Sequence, residues 1–338
     1  MNFLNNKLTF KNVIPFIIPI IIMIILIIIG AFYDLDINNK VAVLSNGNYY
    51  TDSFFARFFE QIGQLPVYLA MAIGMAFLLR GVEYLKNKPL KIVLAILFMI
   101  GLVAAYTLMT KRNLKYHAEM YGIYGWHESH NLIVYVMSFL LSIIPTVITL
   151  LLVNRIKTEN IMKYVFLGLV LVLAAGLSQI LVQGIKLIGA RLRYRAMYVL
   201  EYNGYLDQAI YYPLFKFAPS RVLTDEMINL GFTKDVFKSF PSGHACAACM
   251  IMALVFIPTI LEFEGKKKLI SSIVLWCVAS SYLILVCYAR LVAGAHYLTD
   301  VCFGSLATYL CILFSFLMIK KLAIRISKLI KIEKKVEE

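Results

Sequence analysis

Charge is scarce in this chain, and acidic charge scarcer still. Of 338 residues only 15% are charged, 19 acidic against 33 basic, while 61% are hydrophobic. Soluble domains of ordinary composition carry about 25% charged residues, so a water-soluble globule is excluded. No low-complexity linker and no polar stretch of domain length interrupts the sequence, so no soluble domain is set apart. Metal-binding cysteine patterns are missing too. Cys246 and Cys249 form a lone Cys-x-x-Cys with neither a second pair nor a histidine pair nearby, so no zinc set is completed. With Cys277, Cys287, Cys302 and Cys311 they read as small apolar packing residues, and no disulfide framework is implied.

What is present is length of apolar run. A hydrocarbon layer ~30 Å thick takes about 20 helical residues to cross. Eight such runs follow one another: Val13 to Phe32, Ile62 to Leu79, Leu90 to Met109, Asn131 to Val153, Tyr164 to Ile188, Ala245 to Leu261, Leu269 to Tyr288 and Tyr297 to Ile319. The fold class is therefore all-α, a polytopic helical bundle of about eight transmembrane helices. The first run follows Lys7 and Lys11 as a signal peptide would, but it is too long and no small-residue cleavage site follows, so a retained anchor is expected.

A net charge of +14 raises the question of nucleic acid, and the distribution of the charge answers it. With the N-terminus inside, the basic residues crowd the inner segments: Lys7 and Lys11, then Arg80, Lys86, Lys88 and Lys91, then Arg155, Lys157 and Lys163, then Lys266 to Lys268, then the tail after Ile319. The first outer loop holds only Lys40 and Arg57. The positive-inside rule then places both termini in the cytoplasm of an integral protein of the cell membrane. The partner is the bilayer and not a nucleic acid.

Three blocks in the second half bear on chemistry. Lys186 and Arg193, seven residues apart, share a face on a continued helix, with Gln179 and Gln183 extending that face into the membrane. Polar groups at such depth turn to the bundle interior. Pro241-Ser242-Gly243-His244 opens an apolar helix, where proline suits the first turn and free N–H groups favour an anion. His296 and Asp300, four apart, are neighbours on one helical face. A carboxylate on one ring nitrogen fixes the tautomer and leaves the other nitrogen's lone pair free, which makes a histidine a nucleophile. Arg290 precedes them, with Gly294 allowing the turn between.

At these residues the chain resembles the type 2 phosphatidic acid phosphatase superfamily, whose pattern is Lys-x6-Arg-Pro, Pro-Ser-Gly-His and Ser-Arg-x5-His-x3-Asp. Tyr194, Ala289 and Leu298 depart from it, standing where the family has proline, serine and often proline. None of the three removes a titratable group, but the path after Arg193 and the shares of Arg191 and Arg195 are left open. The resemblance implies a six-helix phosphatase core over residues 90–319, with 1–89 an N-terminal two-helix addition and 320–338 a charged cytoplasmic tail. It implies a membrane lipid phosphatase acting on a phosphomonoester or pyrophosphate at the extracytoplasmic face. His296, oriented by Asp300, is the nucleophile and forms a phosphohistidine. His244 is the acid and then the base. Lys186, Arg193, Arg290, Ser242 and Gly243 hold the phosphate, without metal or other cofactor. Undecaprenyl pyrophosphate is among several lipid substrates that fit. A phosphotransferase passing the phosphate to a lipid or glycan hydroxyl is the alternative, and a lipid transporter or flippase the third reading.

Three further stretches carry expectations. Residues 34–61 hold Phe54, Phe55, Phe58 and Phe59 at the spacing of a short interfacial helix, read as an anchor. The tyrosine-rich stretch 189–240 reads as an ordered cap over the site mouth. His117, Glu119, His127, Glu128 and His130 form no evident three-ligand set and read as a polar loop flanking the substrate.

Overall fold

Within a bilayer every backbone N–H and C=O must be satisfied by the segment itself, so long apolar runs become helices. The computed structural model describes residues 10–121, 123, 130–214 and 222–337; for 10–13 and 326–337 the backbone path alone is described. In chain order the helices are α1 (Phe10–Val41), α2 (Phe54–Ile62), α3 (Leu65–Val82), α4 (Lys88–Met120), α5 (Asn131–Asn154), α6 (Ile161–Gly189), α7 (Tyr194–Tyr202), α8 (Asp225–Asn229), α9 (Gly243–Cys249), α10 (Ile257–Ile260), α11 (Gly265–Val292) and α12 (Leu298–Glu337). Eight helical segments among the described residues are long and apolar enough to cross a membrane, and no strand is among them.

Local chemistry sets several boundaries. Asn87 caps α4 by accepting from Leu90 N–H at 3.0 Å, and Ser242 caps α9 by accepting from Ala245 N–H at 3.3 Å. Pro145 lies inside α5, where Ser138, Ser142 and Thr146 return their hydroxyls to carbonyls of their own helix at 2.6–2.8 Å.

Two of the eight segments differ from their apolar runs. The first helix continues nine residues past Phe32, to Val41, because its polar Asp34 and Asn38 find buried partners elsewhere in the fold. The sixth is not one α-helix: α9 passes into a 3₁₀ stretch (Met250–Phe256), and α10 restarts with Pro258 in its first turn. Beyond Ile319 the last helix runs on unbroken to Glu337.

Helix α3 lies at the centre, packed against α6 on one side and α4 on the other; α6 packs on α12, and α12 on α1 and α9. Their shared core includes Phe77, Leu102, Phe166, Met250, Phe256 and Tyr309, all buried. The α4–α5 pair sits at the periphery, with α5 resting on α4 and α3. Helix α2 bridges α11 and α4. Among the described residues α4 and α6 both pack on α3 without extended contact with each other, which leaves a groove between them.

The end of α6, the start of α9, the end of α11 and the start of α12 meet at one end of the bundle, so all three sequence blocks lie there. The described residues of 190–214 and 222–240 fold over that end around their own small core of Leu192, Met197, Leu200, Met227, Val236 and Phe237.

Candidate active site

Lys186 and Arg193 reach the same cavity by a route other than a shared helix face. Helix α6 stops at Gly189, and Ala190 takes a left-handed conformation (φ 36°, ψ 36°) that turns the chain. Arg191 to Arg193 then run extended. Arg191 C=O accepts from Ser239 N–H at 3.1 Å, and Arg193 N–H donates to Val236 C=O at 2.9 Å. With tyrosine at 194 the chain restarts as α7, with Arg193 at its N-cap. The continued helix expected from the seven-residue spacing is therefore broken, and backbone pairing with residues 236–239 aims Arg193 instead.

The cavity has a volume of about 990 Å³, and Lys186, Arg193, Gly243, His244, Arg290 and His296 all line it. Ser242 and Asp300 are buried behind it. A Cβ at Gly243 would lie 3.2 Å from Lys186 Nζ, so the ammonium rests close against the bare backbone of that glycine. Gly294, at φ +58°, makes the turn from α11 to α12 that carries Arg290 and His296 to the same wall.

His296 is not oriented by direct contact with Asp300. Its Nδ1 lies 2.6 Å from Ser239 C=O and 3.8 Å from Asp300 Oδ2. A carbonyl oxygen only accepts, so Nδ1 carries the proton and the Nε2 lone pair is free. Asp300 instead organises the surroundings. It accepts from Ser239 Oγ at 2.5 Å, Tyr297 N–H at 2.8 Å and Arg191 Nη1 at 2.7 Å, while its backbone carbonyl accepts from Ser242 N–H at 3.0 Å. One carboxylate thus ties together the strands of chain bearing both histidines.

The three arginines after α6 part company. Arg191 is absorbed by Asp300, by Asp34 at 2.9 Å, by Thr299 at 2.8 Å and by Tyr212 C=O at 2.8 Å, so it is a buried tie and not a cavity cation. Arg193 lines the cavity and pairs with Asp235 at 2.8 Å. Arg195 also lines it, with its guanidinium 4.2 Å from the Tyr49 ring and 5.3 Å from that of Tyr50.

Electrostatics favour an anion. Burial alone would raise the Asp235 carboxyl, but Arg193, with Lys186, Arg195 and Lys238, outweighs it and holds the group at about 2. Burial pushes His296 down to about 3 against the opposing pull of the nearby Asp300 carboxylate, with Arg193 and Arg290 reinforcing the fall. The ring is neutral at ordinary pH, as a nucleophile requires.

Several partners carry no motif. Glu60 Oε1 lies 2.9 Å from Arg290 Nη1, so α2, read as an interfacial anchor, also delivers a carboxylate to the cavity. Arg290 is 1% exposed and its Nε finds no acceptor among the described residues. The Gln64 amide lies 3.3 Å from His244 Nε2 and donates to Tyr116 Oη at 3.3 Å, while the Tyr116 ring centre is 5.3 Å from that of His244. Asn38 donates to His296 C=O at 3.1 Å. The polar side chains at 38, 60 and 64 were the one available signal, and nothing in their spacing ties them to a histidine 180 or more residues away.

Of the histidine-rich loop, His127 and Glu128 lie outside the described residues. Within them, His117 Nδ1 lies 3.4 Å from the Gln61 amide and Glu119 pairs with Lys115 at 3.6 Å. No group of three His, Cys, Asp or Glu side chains among the described residues is placed to hold a metal ion.

No curated protein and no solved structure matches this chain. Residues 163–324, which carry Lys186, Arg193, His244, Arg290, His296 and Asp300, match the family model of the PAP2 superfamily, the family that the three blocks resemble.

Proposed function

We propose that this protein is a lipid phosphatase of the membrane that works through a phosphohistidine on His296, at the extracytoplasmic face. The observation that carries the reading is one cavity lined by both histidines and by Lys186, Arg193 and Arg290, with His296 Nδ1 engaged at 2.6 Å by Ser239 C=O. The PAP2 match supports phosphoryl transfer on a lipid phosphate.

In the first step His296 Nε2 attacks phosphorus and the bond to the leaving oxygen breaks. His244 gives that oxygen its proton. Lys186, Arg193 and Arg290 take up the charge that spreads over the equatorial oxygens, helped by backbone N–H groups at the start of α9. In the second step His244, now neutral, takes a proton from water as its oxygen attacks the phosphohistidine. The N–P bond breaks and inorganic phosphate leaves. The concentration of basic residues on the opposite segments supports an outward-facing site.

Rapid quench with a labelled, activated phosphate ester tests the assignment. A good leaving group needs little acid assistance, so His244→Ala should accumulate label on His296, whereas His296→Ala should take up none. Each substitution should lower turnover by at least ~10²-fold. Label that persists in His296→Ala would remove the nucleophile role from that residue.

A further inference from the structure

Arg112 is a cation that the chemistry above does not use. It lies on α4, eight residues before the helix ends, within the membrane-spanning segment, and it lines the same cavity. Among the described residues no carboxylate pairs with it; its neighbours are the Tyr68 and Tyr116 rings, with Asp235 facing it at longer range. Its side chain is exposed and stands three residues past the apolar run that ends at Met109, so it is available to an anion in the cavity. Lys186, on α6 across the groove, likewise lacks a carboxylate partner among the described residues. The cavity thus offers, on opposite walls, two cations with no carboxylate in direct contact among the described residues, Asp235 facing both at longer range. The wall formed by α3 and α4 lies outside the stretch that matches the family.

Position along α4 gives Arg112 its role. Tyr116, one turn further on and on the same face, touches the His244 ring. Arg112 is therefore on the side of the group that protonates the leaving oxygen, one turn deeper in the bundle. Below it the lining turns apolar and small: Gly101, Ala104, Ala105 and Leu108 on α4 face Met71 and Met75 on α3. An occupant of this wall has an anion beside His244 and a hydrocarbon beyond it.

We propose that α4 forms the leaving-group subsite, and that the substrate is a lipid diphosphate whose inner phosphate sits on Arg112 while its chain runs down the Gly101–Leu108 strip. This rests on the phosphatase reading above. His296 attacks the terminal phosphorus, the bond to the bridging oxygen breaks, and a lipid monophosphate leaves with its new negative charge against Arg112. Water then releases inorganic phosphate from His296. The second phosphate explains the extra cation, and it makes a better leaving group than an alkoxide.

Purified enzyme in detergent, given a C15 isoprenyl diphosphate and the monophosphate of the same chain, tests this by the ratio of kcat/KM on the two. The wild type should favour the diphosphate. Arg112→Gln should lower that ratio about tenfold, Arg112→Lys should restore part of it, and Leu108→Trp should raise KM for both lipids. An unchanged ratio in Arg112→Gln, or a wild-type preference for the monophosphate, would overturn the subsite while leaving the phosphatase intact. Inorganic diphosphate cleaved as fast as the isoprenyl compound would overturn its lipid part. Turnover that survives in His296→Ala would instead sink the phosphatase reading and the subsite with it.

Discussion

The two halves of this molecule divide the work unequally. Every block that reads as chemistry lies in residues 163–324, yet the groups that hold those blocks in place come largely from before residue 120. Asp34 anchors Arg191, Asn38 binds the His296 carbonyl, Glu60 faces Arg290, and Gln64 with Tyr116 borders His244. The helices set apart in the sequence as an addition, α1 and α3, pack against α12 and α6, the helices of the site. Residues that contact a reacting phosphate are constrained by the reaction, whereas residues that position them need only arrive from some direction with the right polarity.

The sharpest way to break this comparison is to remove a cation on each side of it. Arg193→Ala takes a clamp from the cavity and should lower kcat by roughly 10²–10³-fold, the usual cost of losing one charge-stabilising donor, with little change in melting temperature. Arg191→Ala should act the other way. It leaves Asp34 and Asp300 buried without their counter-charge, a change that costs about 3–5 kcal/mol of stability, read as thermal unfolding in detergent. An Arg191→Ala protein of native stability but depressed kcat would move Arg191 from the scaffold into the site.

Smaller effects sharpen the boundary. Glu60→Gln keeps the shape beside Arg290 and removes its charge partner, so kcat/KM should change about tenfold, or ~1.4 kcal/mol. A loss as large as that of Arg193→Ala would make the first half a catalytic contributor. A further effect concerns pH. An unfolded His296 takes up a proton below about 6.5, while the folded ring resists down to about 3. Between those values the unfolded chain binds more protons, so stability falls as pH drops, by at most ~1.4 kcal/mol per unit. His296→Gln should abolish that increment. The stability difference between wild type and variant should therefore change steadily from pH 6.5 downward, and a constant difference would count against a buried neutral ring.

Much of this architecture is legible in the residues themselves. The eight spans follow from apolar length, since a bilayer admits little besides helices. The cavity residues Lys186, Arg193, His244, Arg290 and His296 stand out because they are polar groups at set spacings in an apolar chain. Less legible was anything that depends on a long-range partner. The extension of α1 to Val41 requires Asp34 to meet Arg191, which lies 157 positions away. The break after Gly189 depends on backbone pairing between 191–193 and 236–239, which local helical spacing does not anticipate.

The sequence by itself determined a polytopic helical membrane protein with its titratable blocks gathered at one end, because hydropathy and spacing are local properties that the bilayer and the helix read directly. Only the tertiary structure decided which of Arg191 and Arg193 faces the cavity, that Ser239 C=O rather than the Asp300 carboxylate meets His296 most closely, and that α4 brings Arg112 into the cavity the two histidines line. Each of those depends on the direction in which a side chain or carbonyl points after distant segments pack, and direction is a property of the assembled fold.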